Sequence, residues 1–375
     1  MRDVFVAGIA TTSFSRDMET PLERVAAEAV IGAVRDAAID HRHVQEIYVS
    51  HMSQGEVAGQ RVLRELGFPE IPVTNVENAC AGGGAALRQA WMAVGSGMVD
   101  IALVLGMEKL AAPGLLSVAV PSYEDRVGQI LPGSYALAGA SHMAEYGSTE
   151  RDLAWIAAKN RTNGAKNVRA TFQKACTVEE VLASRLIAGP LTLLQCCSPA
   201  TGAAAVILVG GDAAKKIGHR MPRVLACGLS SKIQWGQPED LTIFHPTLRA
   251  AKAAYEYAGV SPEDIDVIEL HDAFSIGELL HYEGLMLCKR GEAASLVRQQ
   301  ATAIGGKFPV NPSGGLLARG HPVGATGVVQ IVELVEQLRG TSPHNQVQGA
   351  NVALAQAQGG TGAGAGAATV AILSN

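Results

Sequence analysis

The chain has 375 residues, of which 48% are hydrophobic, 17% charged and 5% aromatic, and its formal net charge is −5. This weakly charged, apolar composition excludes a disordered chain, and its mild acidity argues against a nucleic-acid binder, whose footprint is basic. Glycine is in excess, 42 of 375 residues, with no collagen period to account for it.

The start, Met1-Arg2-Asp3 followed by a strand-like run, lacks the shape of a signal peptide. Apolar runs such as 101–107 fall well short of the roughly 20 residues that span a bilayer. The final Leu-Ser-Asn is no peroxisomal address. The expectation is a cytoplasmic protein with no membrane and no nucleic acid among its partners. Alternating apolar patterns predict a strand over 3–9, a helix over 21–37, a strand over 46–50, a helix over 82–94 and a strand over 100–106. Residues 110–195 are richer in Arg, Lys and Asn and read as an inserted segment covering one face. A polar, Lys-rich stretch at 210–222 marks the boundary between two halves, 1–212 and 220–375. The second half predicts strands over 223–230 and 265–270, helices over 247–258, 276–290 and 322–338, and strands over 350–356 and 367–373. Strands alternating with helices indicate a layered α/β fold.

The two halves match. Residues 37–56 and 257–278 each run from a helix end through a polar turn and a short strand to a histidine, His51 or His271. Cys80-Ala-Gly-Gly-Gly aligns with His321-Pro-Val-Gly-Ala, placing Gly83 on Gly324 and Gln89 on Gln330. Residues 4–11 align with 224–231. Three matches in the same order indicate duplicated units.

Helix 82–94 is apolar on nearly every side, and helix 322–338 is so over its first turns, as in helices buried inside a protein. Glycines within a helix cost about 1 kcal/mol each against alanine, so their presence suggests close backbone approach. Matched buried helices would pack together at the centre, with Cys80 and His321 at their N-termini. A helix N-terminus favours thiolate at Cys80 and neutral imidazole at His321, with Pro322 at the first helical position. Position alone leaves two possibilities, a nucleophile with its base or a small core thiol with a capping histidine. The other cysteines form no C-x-x-C pair, and the adjacent Cys196-Cys197 read as reduced, buried thiols.

These residues resemble the thiolase superfamily along essentially the whole chain. The resemblance is carried by Asn78-Ala79-Cys80-Ala81-Gly82-Gly83-Gly84, Glu269-Leu270-His271-Asp272-Ala273-Phe274, Asn311-Pro312-Ser313-Gly314-Gly315, Gly320-His321-Pro322-Val323-Gly324-Ala325-Thr326-Gly327 and a Gly-Gly-Thr-Gly loop at 359–362. The His-Asp-Ala-Phe stretch, the segment Tyr135–Gly147 and the Cys196-Cys197 neighbourhood are similar to the sterol-carrier-protein-x and archaeal branch, lipid-transfer-protein-like enzymes of the acetyl-CoA acetyltransferase type. The resemblance implies a duplicated fold layered α-β-α-β-α, with two central buried helices. It implies that a CoA thioester acylates Cys80, that His321 activates the thiol, and that His271, with water, polarises the thioester carbonyl. The backbone of Cys80 and Gly360 would form a second oxyanion hole, and Ser313, Gly314 and Phe274 would contact substrate or CoA. Fixed donors would then stabilise two successive oxyanions, and a covalent intermediate would divide the reaction into two halves.

Two usual homes of a second acid/base cysteine are empty. The last glycine-rich loop reads Ala355-Gln356-Ala357-Gln358-Gly359-Gly360-Thr361-Gly362, and Ala273 stands where much of this branch carries cysteine. Three possibilities follow: His321 serves both steps, another thiol such as Cys288 reaches the site, or the enzyme transfers acyl groups without C–C chemistry. Coenzyme A would be a substrate, with no covalently bound cofactor and no metal in this chain. Its phosphates call for cations, which the insertion offers at Lys159, Arg161, Lys166, Arg169 and Lys174.

The implied function is thiolytic cleavage of a 3-oxoacyl-CoA, or its reverse, on a bulky, branched or aromatic acyl group such as benzoylsuccinyl-CoA. A ketosynthase-like transfer to a non-CoA acceptor and a non-catalytic scaffold subunit are the alternatives. The resemblance also implies a homodimer and a small zinc-ribbon/OB-fold partner subunit that would carry any zinc. The glycine excess now has a place: 15 glycines fall within the 34 residues of 82–84, 305–327 and 359–366, around Cys80 and His321.

Overall fold

A computed structural model describes residues 1–109, 128, 130–232, 240–360 and 366–375. Its strands are β1 (Val4–Thr11), β2 (Glu46–Ser50), β3 (Val73–Val76), β4 (Ile101–Glu108), β5 (Leu186–Ala188), β6 (Leu191–Thr192), β7 (Gly202–Gly210), β8 (Arg223–Lys232), β9 (Val267–Glu269), β10 (Val352–Gly360) and β11 (Gly366–Ser374). The helices are α1 (Leu22–Asp36), α2 (Ala58–Leu63), α3 (Gly82–Ser96), α4 (Leu131–Tyr146), α5 (Glu150–Gly164), α6 (Val178–Leu182), α7 (Gly211–Lys216), α8 (His245–Ala258), α9 (Ser275–Gly284), α10 (Ala293–Arg298), α11 (Gly315–Arg319) and α12 (Thr326–Arg339).

The duplication is explicit in the strand order. The first half pairs β3-β2-β4-β7-β1, and the second continues β8-β11-β10-β9. A bridge from Ile268 to Val310 supplies the position matching β3. The halves join where Phe5 pairs with Arg223. Within each half, β2 and β9 run parallel to a neighbour, while β7 and β11 are antiparallel to both of theirs.

Alternation along the strands builds the layers. Val4 and Val6 of β1, Ala102 and Val104 of β4, and Val206 and Leu208 of β7 point to a shared inner core with α3 and α12. Ala7, Leu103, Leu105, Ile207 and Val209 point the other way, against α1. Successive side chains leave a strand on opposite faces, so a strand covered on both faces reads as a nearly continuous apolar run. On the second half, Ala226, Val370 and Ile372 pack with Ala250, Ala251 and Ala254 of α8. The same cluster takes in Leu153 and Ile156 of α5, from the segment between β4 and β7. Among the described residues, no helix is long and apolar enough to cross a membrane.

The central helices approach through glycine. A Cβ at Gly83 would lie 2.8 Å from the Val328 nitrogen, and one at Gly327 would lie 2.5 Å from the Gly84 nitrogen. No side chain fits between the two backbones.

Several predicted bounds move. The helix placed at 322–338 begins at Thr326, so Pro322 lies in the preceding turn, where its carbonyl accepts the Ala325 and Thr326 N–H groups at 2.8 and 2.9 Å. The helix placed at 276–290 ends at Gly284. β3 has only four residues, and β7 reads GAAAVILVG. Neither was assigned from sequence, because a short edge strand and an alanine-rich run lack a distinct period.

Replacing Gly327 with Ala should overpack the helix contact and destabilise the fold by ~1–3 kcal/mol. The check is the urea unfolding midpoint, and an unchanged midpoint would show that the helices can separate at no cost.

Candidate active site

Cys80 sits on an elbow between β3 and α3. Ala79 holds φ at +47°, a left-handed conformation costing about 1–3 kcal/mol for a residue with a side chain. The Glu77 carboxylate accepts the Ala79 N–H at 2.6 Å and holds that geometry. The Ala81 and Gly82 amides then close turns onto Asn78 and Ala79, and α3 begins. Gly359, near the end of β10, lies directly against this elbow. A Cβ there would fall 2.2 Å from the Asn78 carbonyl oxygen and 2.8 Å from the Cys80 nitrogen. Gly360 follows at φ +116° and is exposed. Thr361 and Gly362 lie outside the described residues.

His321 occupies the matching position before α12. Its backbone N–H donates to the Ser198 carbonyl at 2.9 Å, and its carbonyl accepts the Ala200 N–H at 3.2 Å. On the ring, Nε2 is 3.1 Å from the Cys80 sulfur and Nδ1 is 2.7 Å from the Thr326 hydroxyl. That hydroxyl donates its own proton to the Pro322 carbonyl at 3.1 Å. With the hydroxyl hydrogen so placed, its oxygen accepts from Nδ1, in the tautomer that carries the ring hydrogen there. Nε2 is left bare, facing the thiol. This arrangement suits a tautomer in which Nε2 accepts from the Cys80 thiol.

His271 follows β9 and completes the group. Donor atoms of Cys80, His271 and His321 lie within 4.8 Å of one another, a spacing that could also hold a metal ion. The two imidazoles meet edge to face at 5.2 Å. The backbone N–H of His271 donates to the Gln356 side-chain oxygen at 3.0 Å, and the Gln330 side-chain amide donates to the Gln356 backbone carbonyl at 2.8 Å. The loop after β2 in the first half is anchored too. Glu108 accepts from Met52 N–H at 2.9 Å, the Ser53 hydroxyl at 2.7 Å and Gly324 N–H at 2.9 Å. It thereby ties the loop after β2 to the loop that carries His321.

Burial sets the protonation states. It pushes the Cys80 thiol up to about 12, with the Glu108 carboxylate adding to the rise. It pushes His271 down to about 3, with help from the Arg319 guanidinium. His321 falls well below its usual value from burial, then from His271 and Arg319. The start of α3 therefore does not maintain the thiolate expected from sequence, because desolvation of the anion outweighs the helix end. The resting pair is a neutral thiol hydrogen-bonded to a neutral imidazole, one proton transfer from a thiolate.

The remaining sequence candidates divide. Phe274 is buried and packs on Tyr135 at 4.5 Å. Ser313 is fully buried, donating to Glu269 at 2.7 Å and accepting from Arg319 at 3.2 Å, so its hydroxyl is committed to the core. A Cβ at Gly314 would meet the Gly164 backbone at 2.6 Å, so this glycine packs on α5 rather than on a ligand. Lys159 is buried against Glu278 at 2.9 Å, and Arg169 pairs with Glu336 at 2.6 Å and Glu333 at 3.3 Å. Burial and pairing correct the expectation that either is available to phosphate. Lys166 is exposed. Arg161 and Lys174 do line a cleft of about 840 Å³, together with Arg16, Phe172, Cys197 and Ser198. Cys288 lies beyond the far end of α9, near Glu283 and Glu292. Thr326, Glu108, Gln356 and Arg16 were not singled out from sequence. Thr326 stands inside a quoted motif, but only its two hydrogen bonds reveal its part.

The family model described as Thiolase, N-terminal domain matches residues 4–211, and the one described as Thiolase C-terminal domain-like matches 228–375. The chain is 39% identical to an acetyl-CoA acetyltransferase of Methanothermobacter thermautotrophicus, over 94% of this chain and 95% of that one. It is 39% identical to the benzoylsuccinyl-CoA thiolase subunit BbsB of Thauera aromatica, over 92% of each. Human sterol carrier protein 2 is 36% identical, over 94% of this chain and 69% of its own length. Among solved structures, an Ltp2-ChsH2(DUF35) aldolase superposes with a TM-score of 0.86 at 27% identity, covering 99% of this chain and 97% of that one.

Thr326→Val should slow acylation of Cys80 by ~10–100-fold, the range for partners that fix a histidine's orientation, while Thr326→Ser should retain the rate. Rapid-quench measurement of the acyl adduct checks this. An unchanged rate in Thr326→Val would show that the tautomer is held by something else.

Proposed function

The chain belongs to the thiolase family, and on that premise we propose that it cleaves a 3-oxoacyl-CoA with CoA, or runs the reverse condensation, through an acyl group carried on Cys80. It is an acyltransferase of the acetyl-CoA acetyltransferase kind. The observation that carries the finer proposal is the 3.1 Å contact between the Cys80 sulfur and the bare Nε2 of His321, with His271 beside both.

The chemistry follows from the geometry. As Cys80 attacks a carbonyl carbon, its proton passes to Nε2 of His321. The neutral His271 can donate an N–H to the thioester oxygen as enolate charge develops. The backbone N–H groups of Cys80 and Gly360 are assigned to the oxyanion of the covalent step. Departure of the acyl group reverses the proton transfer, so His321 acts as base and then as acid.

The cleft lined by Arg16, Arg161, Lys174 and Phe172 is assigned to CoA. Guanidinium groups suit phosphate oxygens, and Arg161 lies 4.1 Å over the Phe172 ring. A bulky or aromatic acyl group, as in benzoylsuccinyl-CoA, is supported by the Thauera relative. That relative is named as a subunit, and the structural neighbour is a pair with a DUF35 protein. We extend the same arrangement to this chain: a homodimer joined by a small zinc-ribbon/OB-fold subunit that holds the zinc. Ala273 and the cysteine-free run 355–360 favour a second possibility, acyl transfer to an acceptor other than CoA.

Incubation with acetoacetyl-CoA and benzoylsuccinyl-CoA, read by intact mass and by the CoA esters released, tests the proposal. An acyl adduct should form on the unaltered chain and vanish in Cys80→Ala, and added CoA should discharge it as a new acyl-CoA. An adduct that CoA cannot discharge would favour the other acceptor, and no adduct with either ester would favour a scaffold.

A further inference from the structure

Cleavage of the C–C bond leaves an enolate whose carbon must be protonated, while the proton taken from Cys80 is held on His321. A second acid is needed beside the first, and neither Ala273 nor residues 355–360 offer a thiol. We propose that Cys197 supplies this acid/base, from the strand segment that faces Ala273. The proposal rests on the C–C chemistry proposed above.

Three features of the fold place the thiol. Cys196 bridges Phe274 in antiparallel register, and the Cys197 N–H donates to the Ala273 carbonyl at 2.8 Å. Cys197 and Ala273 are therefore directly opposed. Opposed residues send their side chains out on the same face, with Cβ atoms about 4.5–5.5 Å apart. The Cys197 thiol thus rises where a longer side chain at position 273 would project. The next residue fixes the other end, since the Ser198 carbonyl accepts the His321 N–H at 2.9 Å. Cys197 lies between the backbones that carry His271 and His321.

The neighbouring Cys196 is turned elsewhere, its sulfur donating to the Thr192 carbonyl at 3.4 Å, as expected of adjacent residues on a strand. Cys197 is only partly buried and, with Cys196, lines the cleft shared with Arg16, Arg161 and Ser198. Burial pushes it up, which keeps it a thiol until the enolate forms.

The steps balance. Cys80 gives its proton to His321 and bonds to the 3-oxo carbon. The C–C bond breaks, its electron pair passes to the enolate, and the enolate carbon takes the Cys197 proton. The state is then acyl-Cys80, imidazolium at His321 and thiolate at Cys197. CoA enters as a thiol, gives its proton to Cys197, and attacks the acyl carbonyl. Cys80 leaves as thiolate and recovers its proton from His321.

The experiment separates acylation from enolisation. Acyl-Cys80 formation from acetyl-CoA and succinyl-CoA is followed by intact mass, and deuterium entry at their α-carbons in D2O is followed by mass spectrometry. In Cys197→Ala, deuterium entry and thiolysis should fall by about 100-fold or more, while the acyl adduct still forms. Cys197→Ser, which preserves volume, should do the same. Exchange at the unaltered rate in either variant would overturn the proposal, as would a parallel loss of acylation and exchange in both, which marks a packing role. An unaltered chain that acylates but neither exchanges nor thiolyses would overturn the C–C chemistry itself, and with it the part given to Cys197.

Discussion

The site depends on one hydrogen bond that crosses the duplication. Cys80 and His321 are separated by 241 residues, yet sulfur and nitrogen lie 3.1 Å apart. The contact requires the two central helices to begin side by side. That in turn requires the backbones at Gly83 and Gly327 to touch, with no room for a Cβ. Everything outside serves this approach: each half of the sheet covers the central pair with alternate side chains and turns the rest toward outer helices.

Around the hydrogen bond, the protein holds polar groups dry, the two histidines neutral and the charged groups paired. Arg319 is fully buried and meets Glu269 at 3.4 Å, behind the two histidines whose protonation it opposes. Asp272 accepts the Leu316 N–H at 2.7 Å and the Leu317 N–H at 3.2 Å, fixing the turn between His271 and Phe274. Asn311 accepts the Leu270 N–H at 2.9 Å from the opposite side. A low-dielectric site of this kind strengthens interactions with charge that develops during reaction. It also explains why a helix end alone does not ionise the thiol: burial favours the uncharged form.

Much of this was legible in the sequence. The matched segments around His51 and His271, and around Cys80 and His321, follow from repetition, and the start of α3 follows from its glycines and apolar run, while α12 begins four residues later than its sequence pattern implies. The trio needed no long-range contact to be singled out. Other features needed the fold. A serine in a glycine-rich motif looks like a ligand contact, but Ser313 is claimed by Glu269 and Arg319, which approach it only after folding. Lys159 and Arg169 look like solvated cations until Glu278, Glu333 and Glu336 are brought to them. The part played by Thr326 depends on the direction of two hydrogen bonds, which no residue pattern encodes. The opposition of Cys197 and Ala273 arises from pairing between segments far apart in the chain.

The central claim is that the resting site holds a neutral thiol and a neutral imidazole whose hydrogen is on Nδ1. Nitrogen-15 chemical shifts of the His321 ring in the substrate-free chain test it most directly, followed from about pH 5.5 to about pH 8.5, across the usual histidine range. The account predicts a protonated Nδ1 and a bare Nε2 throughout, with no titration. Two protonated nitrogens at neutral pH, lost in Cys80→Ala, would show a thiolate–imidazolium pair instead and would contradict it.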